Sequence, residues 1–193
     1  HDLIPVSGTN ITITLDKALQ EYGEQLMVGK RGAIVAIEPT SGEILALVTG
    51  PNFDPSLLIG RERSKNYTQL YYDSIAKPTW DRSLLAQPSP GSPFKLINGL
   101  AALEEGVIDP NEIIYCNNGY YVGRDKKTCH CGGGRRNLQS AIALSCNAYF
   151  VHVFKKIFKK YPSSEAGIDA WVKHMKSFGL GEFLGTDLPT GAP

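Results

Sequence analysis

The stretch "GAIVAIEPTSGEILALVTG", residues 32–50, decides how the first part of this chain folds. Two apolar runs rich in β-branched residues flank the tetrapeptide Pro39-Thr40-Ser41-Gly42. Such a pair of runs around a short Pro- and Gly-containing connection is typical of an antiparallel hairpin. Both runs are apolar at nearly every position, whereas a strand with one face in water alternates. We therefore expect both faces of this hairpin to be covered.

The segments on either side of the hairpin give weaker signals. Upstream, "ITITL" at 11–15 alternates with a period of two and predicts a strand. Asp16 then precedes a helix over 17–28, whose apolar residues recur on one face. Downstream, residues 50–80 hold several prolines and many polar side chains, which predicts a long loop region.

The rest of the chain is dominated by helical patterns with recognisable ends. Gly106 and Gly179 follow two of these patterns, as expected for residues that terminate helices. The predicted segments are a helix over 93–105, one long helix or two short ones over 137–157, and a helix over 164–177. A hairpin followed by several helices predicts an α+β fold in which helices cover a sheet.

Size and charge exclude several functional classes. The chain has 193 residues, enough for a core, and its formal net charge of +1 gives no reason to expect nucleic acid as a partner. It contains no apolar run of about 18 residues, the length needed for a membrane-spanning helix. It begins with His1 rather than Met, which suggests an excised piece of a longer protein, and an upstream membrane anchor would then lie out of view.

The sequence "PGSPFK", residues 90–95, places a serine and a lysine at a predicted helix start. Pro93 suits the first helical position, so Ser92 falls at the N-terminal cap, where the helix dipole favours negative charge. Lys95 lies one turn later on the same face. A neutral amine there can take the serine proton, which predicts a nucleophile and its base.

Ser-x-x-Lys is a common pattern, and an ordinary cap followed by an exposed lysine is the competing interpretation. A second copy, Ser74 with Lys77, runs into Pro78, which argues against a helix at that place. A hydroxyl and a carboxamide also occur 53 residues after Ser92, at Ser145 and Asn147, inside an apolar helical segment. There they predict a proton relay and a group that holds a substrate amide.

The four cysteines lie within 31 residues and suggest one shared site. Together with a histidine they offer five candidate ligands, and zinc binds four such ligands tetrahedrally. Disulfides and free thiols are the alternatives, and the sequence leaves all three open. The candidates are Cys116, Cys129, His130, Cys131 and Cys146.

These motifs together resemble the penicillin-recognising serine transpeptidases. "PGSPFK" resembles their Ser-x-x-Lys box, and "SCN" at 145–147 resembles their Ser-x-Asn box. Residues 31–55 are similar to the opening hairpin of class B penicillin-binding proteins and to the Pro-x-Phe-Asp-Pro segment after it. The final "GLGEFLGTDLPTGAP" resembles their Asp-Leu-Pro segment. The elongation-type subgroup, penicillin-binding protein 2, is the most similar.

The resemblance implies the fold of the penicillin-binding proteins and β-lactamases, with 1–193 as one partial transpeptidase domain. In it, 1–15 is a lead-in strand and 16–193 is the first part of the catalytic domain. It implies that Ser92 attacks the D-Ala-D-Ala carbonyl of a stem peptide, and that a neighbouring stem-peptide amine resolves the acyl-enzyme. Lys95 would accept the proton, Ser145 and Asn147 would relay it and bind substrate, and β-lactams would acylate Ser92.

The resemblance also implies partners and a location. Stem peptides, β-lactams and proteins of the cell-elongation complex are the expected partners. The full-length protein is expected at the periplasmic face of the inner membrane, anchored there, with this segment soluble. A same-fold serine hydrolase, meaning a D,D-carboxypeptidase or β-lactamase, and a non-catalytic β-lactam sensor are the alternative functions.

Two departures from the family pattern affect these expectations. Pro93 replaces the usual threonine, and the third box, Lys-Thr/Ser-Gly, is absent. The sheet is therefore expected to lack its C-terminal strands, and the chain to be inactive alone. Some penicillin-binding protein 2 members bind zinc at the positions of Cys116, Cys129 and Cys146. Their histidine is missing from the glycine run 132–134, so His130 or Cys131 would have to replace it. No cofactor is expected for catalysis.

Overall fold

The computed structural model describes residues 7–183 and 185–191, and these divide into two compact units. Residues 7–87 with 186–191 form the first unit, and residues 88–183 with 185 form the second. The described residues include no helix that is both long and apolar enough to cross a bilayer.

The first unit is built on the predicted hairpin. Strands β1 (Gly32–Ile37) and β2 (Ile44–Gly50) pair antiparallel, and helix α1 (Lys17–Met27) packs against β2. Asp16 caps α1 by accepting the backbone N–H of Leu19 at 2.9 Å. Gly23 allows the close approach, because a Cβ there would lie 2.8 Å from Val48 Cγ2.

Two expectations about this unit are wrong. Residues 11–15 form no strand, although the adjoining backbone N–H of Asp16 donates to Leu45 O at 2.8 Å; residues 1–6 of the predicted lead-in lie outside the described residues. The hairpin is also not covered on both faces, because β1 alternates half-buried and exposed residues, with Val35 and Ile37 exposed. Only β2 carries fully buried side chains, at Ala46 and Val48.

The region predicted as a long loop contains helices. Within it, a 3-10 helix covers Pro55–Leu58 and α2 covers Arg63–Tyr72, and α3 (Arg82–Leu85) follows just beyond it. Helix α2 buries none of its residues, so it lacks the apolar periodicity from which a helix is recognised in a sequence. Buried Arg82 donates through its guanidinium to three backbone carbonyls, including that of Ala76 at 2.8 Å.

The second unit is a helical cluster that carries two small sheets. Its helices are α4 (Phe94–Glu104), α5 (Leu138–Ala143), α6 (Asn147–Lys159) and α7 (Ser164–Ser177). The segment predicted as one or two helices over 137–157 is therefore two helices. The strands are β3 (Ile114–Cys116), β4 (Gly119–Val122), β5 (Asp125–Thr128) and β6 (Gly134–Arg136), paired β3 with β6 and β4 with β5.

Helix α6 forms the centre of this unit. Tyr149, Val153 and Ile157 recur at four-residue intervals and are fully buried. The facing residues of α4 include Ala101 and Ala102, both buried, whose small side chains let the two helices approach closely. Burial of a side chain the size of Val153 contributes about 2 kcal/mol. This packing fixes α4 against α6, the two helices that carry the serine and lysine motifs.

A buried carboxylate fixes the C-terminal end of α4. Glu105 accepts from Lys160 Nζ at 2.6 Å, from Tyr161 Oη at 2.7 Å, and pairs with His174 Nε2 at 2.6 Å. These bonds, that from Lys160 above all, lower the pKa of Glu105 to about 2. The carboxylate therefore links α4 to the end of α6 and to α7.

We predict that Glu105→Gln lowers the free energy of unfolding of this chain by about 2 kcal/mol at pH 7, because charge-assisted hydrogen bonds are lost. A lowered carboxyl pKa stabilises the fold above the unfolded value of 4.5, and the stabilisation disappears as the pH falls toward 2. Urea unfolding of both proteins between pH 2 and pH 7 measures this. The control is Glu104→Gln, whose exposed carboxylate should contribute less than about 1 kcal/mol. An equal loss in both variants would contradict the prediction.

Candidate active site

Ser92 lies in the turn that leads into α4. The helix begins at Phe94, with Pro93 as its N-terminal cap in helical dihedrals and with no side-chain cap. The predicted start at Pro93 is therefore one residue too early, and Ser92 does not act as a cap. Its carbonyl accepts the N–H of Lys95 at 3.0 Å, which closes the turn and puts the two side chains on one side. The Ser92 hydroxyl, which caps no backbone N–H of the helix, lies 3.2 Å from Lys95 Nζ.

Ser145 lies between α5 and α6 in a left-handed conformation. Its φ is +49°. The N–H of Ser145 donates to Ile142 O at 3.0 Å, and the N–H of Cys146 donates to Ala141 O at 2.8 Å. This pair of bonds is a Schellman motif, in which glycine usually occupies the left-handed position. A serine there carries backbone strain, which is common where a side chain must face a functional site.

The three polar side chains form one hydrogen-bonded group. The Oγ atoms of Ser92 and Ser145 are 2.9 Å apart, and Lys95 Nζ donates to Ser145 Oγ at 2.8 Å and to Ser145 O at 2.8 Å. Ser92 and Ser145 are exposed, so a ligand can approach the hydroxyls. The arrangement connects two hydroxyls and an amine in a closed path along which a proton can move.

Asn147 is the first residue of α6 and lies beside this group. The side chain of Cys146 caps the helix by accepting the N–H of Tyr149. Asn147 and Lys95 both line a cavity of about 390 Å³ whose other walls are mainly aromatic. Lys95 therefore connects the hydroxyls of Ser92 and Ser145 to the cavity that Asn147 lines.

The other Ser-x-x-Lys and Ser-x-Asn sequences have no such surroundings. Ser74 lies in an exposed turn, and Lys77 has a positive φ of 47°, so no helix joins them. Ser64 and Asn66 lie on α2, where Asn66 donates to Leu57 O at 2.8 Å. The structure thus distinguishes the two copies of each pattern, and for Ser-x-x-Lys the proline after Lys77 predicts this.

Four cysteines form a second cluster next to the hydroxyls. Their sulfur atoms all lie within 4.8 Å of one another, and the side chains are buried. Neighbouring sulfurs are 3.4 Å apart for Cys129 and Cys131, 3.5 Å for Cys131 and Cys116, and 3.7 Å for Cys129 and Cys146. His130, the fifth candidate, is exposed and stands outside the cluster.

Three segments of chain bring the sulfurs together. The β3–β6 pairing places Cys116 opposite Gly134, Cys129 N donates to Asn118 O at 3.1 Å, and Cys146 comes from the α5–α6 junction. Gly133 is needed in this loop, because its φ is +68° and a Cβ would lie 2.5 Å from Asn118 Oδ1.

Burial and hydrogen bonds within the cluster shift the pKa values of its thiols. Burial raises the pKa of Cys146. Burial also raises that of Cys131, but hydrogen bonds from Cys146, from Cys129 and from the Gly133 N–H outweigh it and lower the Cys131 pKa to about 6. Arg136 donates to Cys131 O at 2.7 Å and also to Gly133 O, so a guanidinium holds the loop beside this acidic thiol.

Three residues near these groups escape recognition from the sequence. Asn98 follows Lys95 by three residues, a spacing that places both on one helix face and gives the available signal. Trp171 contacts α4 from 73 residues away, as its Nε1–H donates to Asn98 Oδ1 at 2.8 Å. Arg136 acts through backbone carbonyls. No local sequence pattern marks Trp171 or Arg136 as part of the site.

Comparison with known proteins agrees with this geometry. Residues 32–192 match the family model described as penicillin binding protein transpeptidase domain. The chain belongs to this family. It is 34% identical to the peptidoglycan D,D-transpeptidase MrdA of Acinetobacter baumannii, over 96% of this chain and 27% of that protein. The predicted family, and the similarity to penicillin-binding protein 2, are confirmed.

Solved structures of penicillin-binding proteins share the fold. A Helicobacter pylori penicillin-binding protein 2 in complex with MreC superposes with a TM-score of 0.77 and 31% identity, over 92% of this chain and 32% of that one. Penicillin-binding protein A from Mycobacterium tuberculosis, as an imipenem acyl-enzyme, gives 0.74 and 29%, over 88% of this chain and 40% of that one. The α+β penicillin-binding protein fold is thus confirmed, and this chain spans about a quarter of the length of MrdA.

We predict that Ser145→Gly unfolds with a free energy about 1 kcal/mol higher than Ser145→Ala, because only glycine occupies a left-handed position without strain. Both variants lose the hydroxyl and its bonds to Lys95, so their difference isolates the backbone. Urea unfolding of the two proteins measures it. Equal stabilities would show that the turn adopts another conformation in solution.

Proposed function

We propose that this chain carries the acylation centre of a peptidoglycan D,D-transpeptidase. The observation that carries the proposal is the hydrogen-bonded group of Ser92, Lys95 and Ser145, open on its hydroxyl side. Membership of the transpeptidase family supports it. The imipenem acyl-enzyme of the mycobacterial relative supports acylation by β-lactams.

The proposed reaction begins with attack of Ser92 Oγ on the carbonyl carbon of the penultimate D-Ala. Lys95, in its neutral form, accepts the Oγ proton from 3.2 Å. The carbonyl oxygen becomes an oxyanion, for which the backbone N–H of Ser92 is one donor. No described residue accepts from that N–H, which leaves it available for the oxyanion.

Collapse of the tetrahedral intermediate breaks the peptide bond. The terminal D-Ala leaves as an amine, and it receives the proton from Lys95 through Ser145 Oγ, which Nζ meets at 2.8 Å. The serine ester then remains on Ser92. Attack by the amine of a neighbouring stem peptide forms the cross-link and returns the proton to Ser92 Oγ by the same path. Asn147 holds the amide of the donor strand.

We propose transfer to an amine rather than hydrolysis because similar proteins are named peptidoglycan D,D-transpeptidases. Incubation of the full-length protein with stem-peptide substrates distinguishes the two functions, because a transpeptidase gives cross-linked products and a carboxypeptidase gives trimmed ones.

The proposal extends to location and partners. The full-length protein would act at the periplasmic face of the inner membrane, where stem peptides occur. Proteins of the elongation complex are the proposed partners, since a similar penicillin-binding protein 2 forms a complex with MreC. The residues described would then form part of one catalytic domain, and the 193-residue chain alone should not be acylated efficiently.

The proposal also assigns a structural zinc ion to the four cysteines. Tetrahedral zinc with thiolates at about 2.3 Å places the sulfurs about 3.8 Å apart, close to the 3.4–3.7 Å between neighbours in this cluster. The sulfurs are buried together, and the lowered pKa of Cys131 favours a thiolate. The ligands would be Cys116, Cys129, Cys131 and Cys146. Bound there, zinc would link the loop between β3 and β6 to the start of α6.

We predict that Ser92→Ala abolishes labelling of the full-length protein by a fluorescent penicillin, because the attacking oxygen is removed. The matched control is Ser74→Ala, which removes the serine of the other Ser-x-x-Lys sequence and should label normally. Gel fluorescence after a timed incubation measures both. Labelling of Ser92→Ala, or loss of labelling in Ser74→Ala, would refute the assignment. Efficient labelling of the 193-residue chain alone would refute only its expected inactivity.

We predict about one zinc ion per chain after purification without chelator, and loss of that ion in Cys131→Ser. His130→Ala is the control and should retain zinc, because its side chain is exposed and outside the cluster. Elemental analysis measures the metal, and titration of denatured protein with a thiol reagent counts free thiols. Four free thiols without metal would show free cysteines instead of a zinc site. Fewer than four free thiols without metal would show disulfides instead.

A further inference from the structure

The β4–β5 hairpin carries an unusual concentration of positive charge. Its strands pair antiparallel, and every residue from Tyr121 to Thr128 is exposed. The span 119–136, which includes the hairpin, holds five lysines and arginines and one aspartate, a net charge of +4, whereas the whole chain has +1. The rest of the chain is therefore net negative, and this segment is a local positive surface.

The base of the hairpin is anchored, while its second strand buries nothing. Cys129 N donates to Asn118 O at 3.1 Å where β5 ends, and the buried sulfur of Cys129 belongs to the cysteine cluster. Strand β4 packs against α6, and Tyr120 lines the edge of the cavity beside Lys95. Strand β5 contributes no buried residue. Because a two-stranded sheet gains little stability in water, core packing does not explain why these side chains are cationic.

The register of the hairpin places a tyrosine and a lysine together on each of its faces. Tyr120 lies opposite Lys127, and Tyr121 lies opposite Lys126. Residues directly opposite in an antiparallel pair share a face. Lys127 is partly neutralised, because its Nζ lies 3.9 Å from Asp125 Oδ2. Each face therefore combines an aromatic ring with a cation, and Lys126 carries the less compensated charge.

Two cations of the hairpin have no carboxylate partner. No described carboxylate forms an ion pair with Arg124 or Lys126. In the lysine-rich segment at the end of α6, by contrast, Lys156 and Lys160 each pair with a glutamate. An anionic ligand can therefore bind Arg124 and Lys126 without displacing an internal partner.

We infer that the β4–β5 hairpin binds carboxylates of the acceptor stem peptide, the strand whose amine resolves the acyl-enzyme. This inference rests on the proposed function and specifies its second substrate. Stem peptides carry free carboxylates, which arginine and lysine bind through charge-assisted hydrogen bonds. The donor strand is attached to Ser92 at this stage, whereas the acceptor is held by noncovalent contacts alone, so its affinity depends on a surface of this kind.

The charge of the hairpin also orients the acceptor. Its carboxylates are attracted to Arg124 and Lys126, whereas an ammonium group is repelled by them. The amine end therefore points away from the hairpin. Nearby cations also favour the neutral form of this amine, and the neutral form is the one that attacks the ester.

The test compares two acceptor peptides with one fixed acyl donor. One acceptor is a stem peptide with free carboxylates, and the other is the same peptide with those carboxylates amidated. In the full-length protein, Arg124→Gln combined with Lys126→Gln should raise the KM for the acidic acceptor about fivefold, as expected for two lost charge contacts at a surface. The KM for the amidated acceptor should change less than about twofold, because it offers no carboxylate. Labelling of Ser92 by a fluorescent penicillin should be unchanged.

The matched control removes two positive charges elsewhere. Lys155 and Lys159 are exposed, form no described ion pair, and lie about 12 and 18 Å along α6 from its first residue. Lys155→Gln combined with Lys159→Gln changes the net charge equally and should leave both KM values unchanged. Raising NaCl from about 50 to about 500 mM should raise the KM for the acidic acceptor in wild type and control, and less in the hairpin variant, because salt screens exposed charges. Thermal unfolding verifies the fold of each variant.

The outcomes distinguish this inference from the proposed function. Equal increases in KM with both acceptors, or no increase with either, would overturn the inference. The same selective increase in the α6 control would make it a general effect of net charge and overturn the inference as well. Weaker binding of the hairpin variant to vesicles of phosphatidylglycerol and phosphatidylethanolamine, with unchanged KM values, would assign the surface to lipid instead. Wild-type protein that is neither labelled by penicillin nor able to cross-link either acceptor would overturn the proposed function itself.

Discussion

The amine of Lys95 connects two helices that are far apart in the sequence. It extends from α4 and donates to both the hydroxyl and the carbonyl of Ser145, which lies 50 residues later at the α5–α6 junction. The arrangement requires α4 and α6 to pack closely, which the buried alanines of α4 permit. It also requires α5 to end in a left-handed residue. Both conditions are properties of the second unit, and the proposed chemistry depends on both.

The carboxylate of Glu105 and the indole of Trp171 act on opposite ends of α4. Glu105 ties its C-terminal end to α6 and α7 through three hydrogen bonds. Trp171 contacts its N-terminal half through Asn98 and Phe94. Helix α7 therefore takes part in both connections, although it contributes no residue to the hydrogen-bonded group of Ser92, Lys95 and Ser145. A helix without either serine motif thus holds α4, and with it Ser92 and Lys95, in position.

Much of this arrangement follows from sequence patterns, and the exceptions have physical causes. The β1–β2 hairpin and helices α1, α4 and α7 are predictable because apolar periodicity and terminal glycines mark them. Helix α2 is not, because it buries nothing. Residues 11–15 alternate as a strand does, but no described strand pairs with them. A pattern of side chains cannot report whether a partner strand is available.

The site was partly predictable for the same reasons. Chain spacing suggests the approach of Ser92 to Lys95 and the grouping of the cysteines. It does not show that the helix over 137–157 breaks at Ser145, because the flanking apolar residues suit a continuous helix. Nor does it exclude His130, because only the folded structure shows that this side chain is exposed while the four cysteines are buried. Contacts that arise from tertiary packing leave no periodic mark in a sequence.

The position of Cys146 links two sites that would otherwise be separate. Its sulfur belongs to the cysteine cluster and caps α6, while its neighbours on either side are Ser145 and Asn147. A substitution at Cys146 would alter both the cysteine cluster and the hydrogen-bonded group of Ser92, Lys95 and Ser145. Substitution of Cys146 alone therefore cannot separate the stability of the cysteine cluster from the geometry of the side chains next to it.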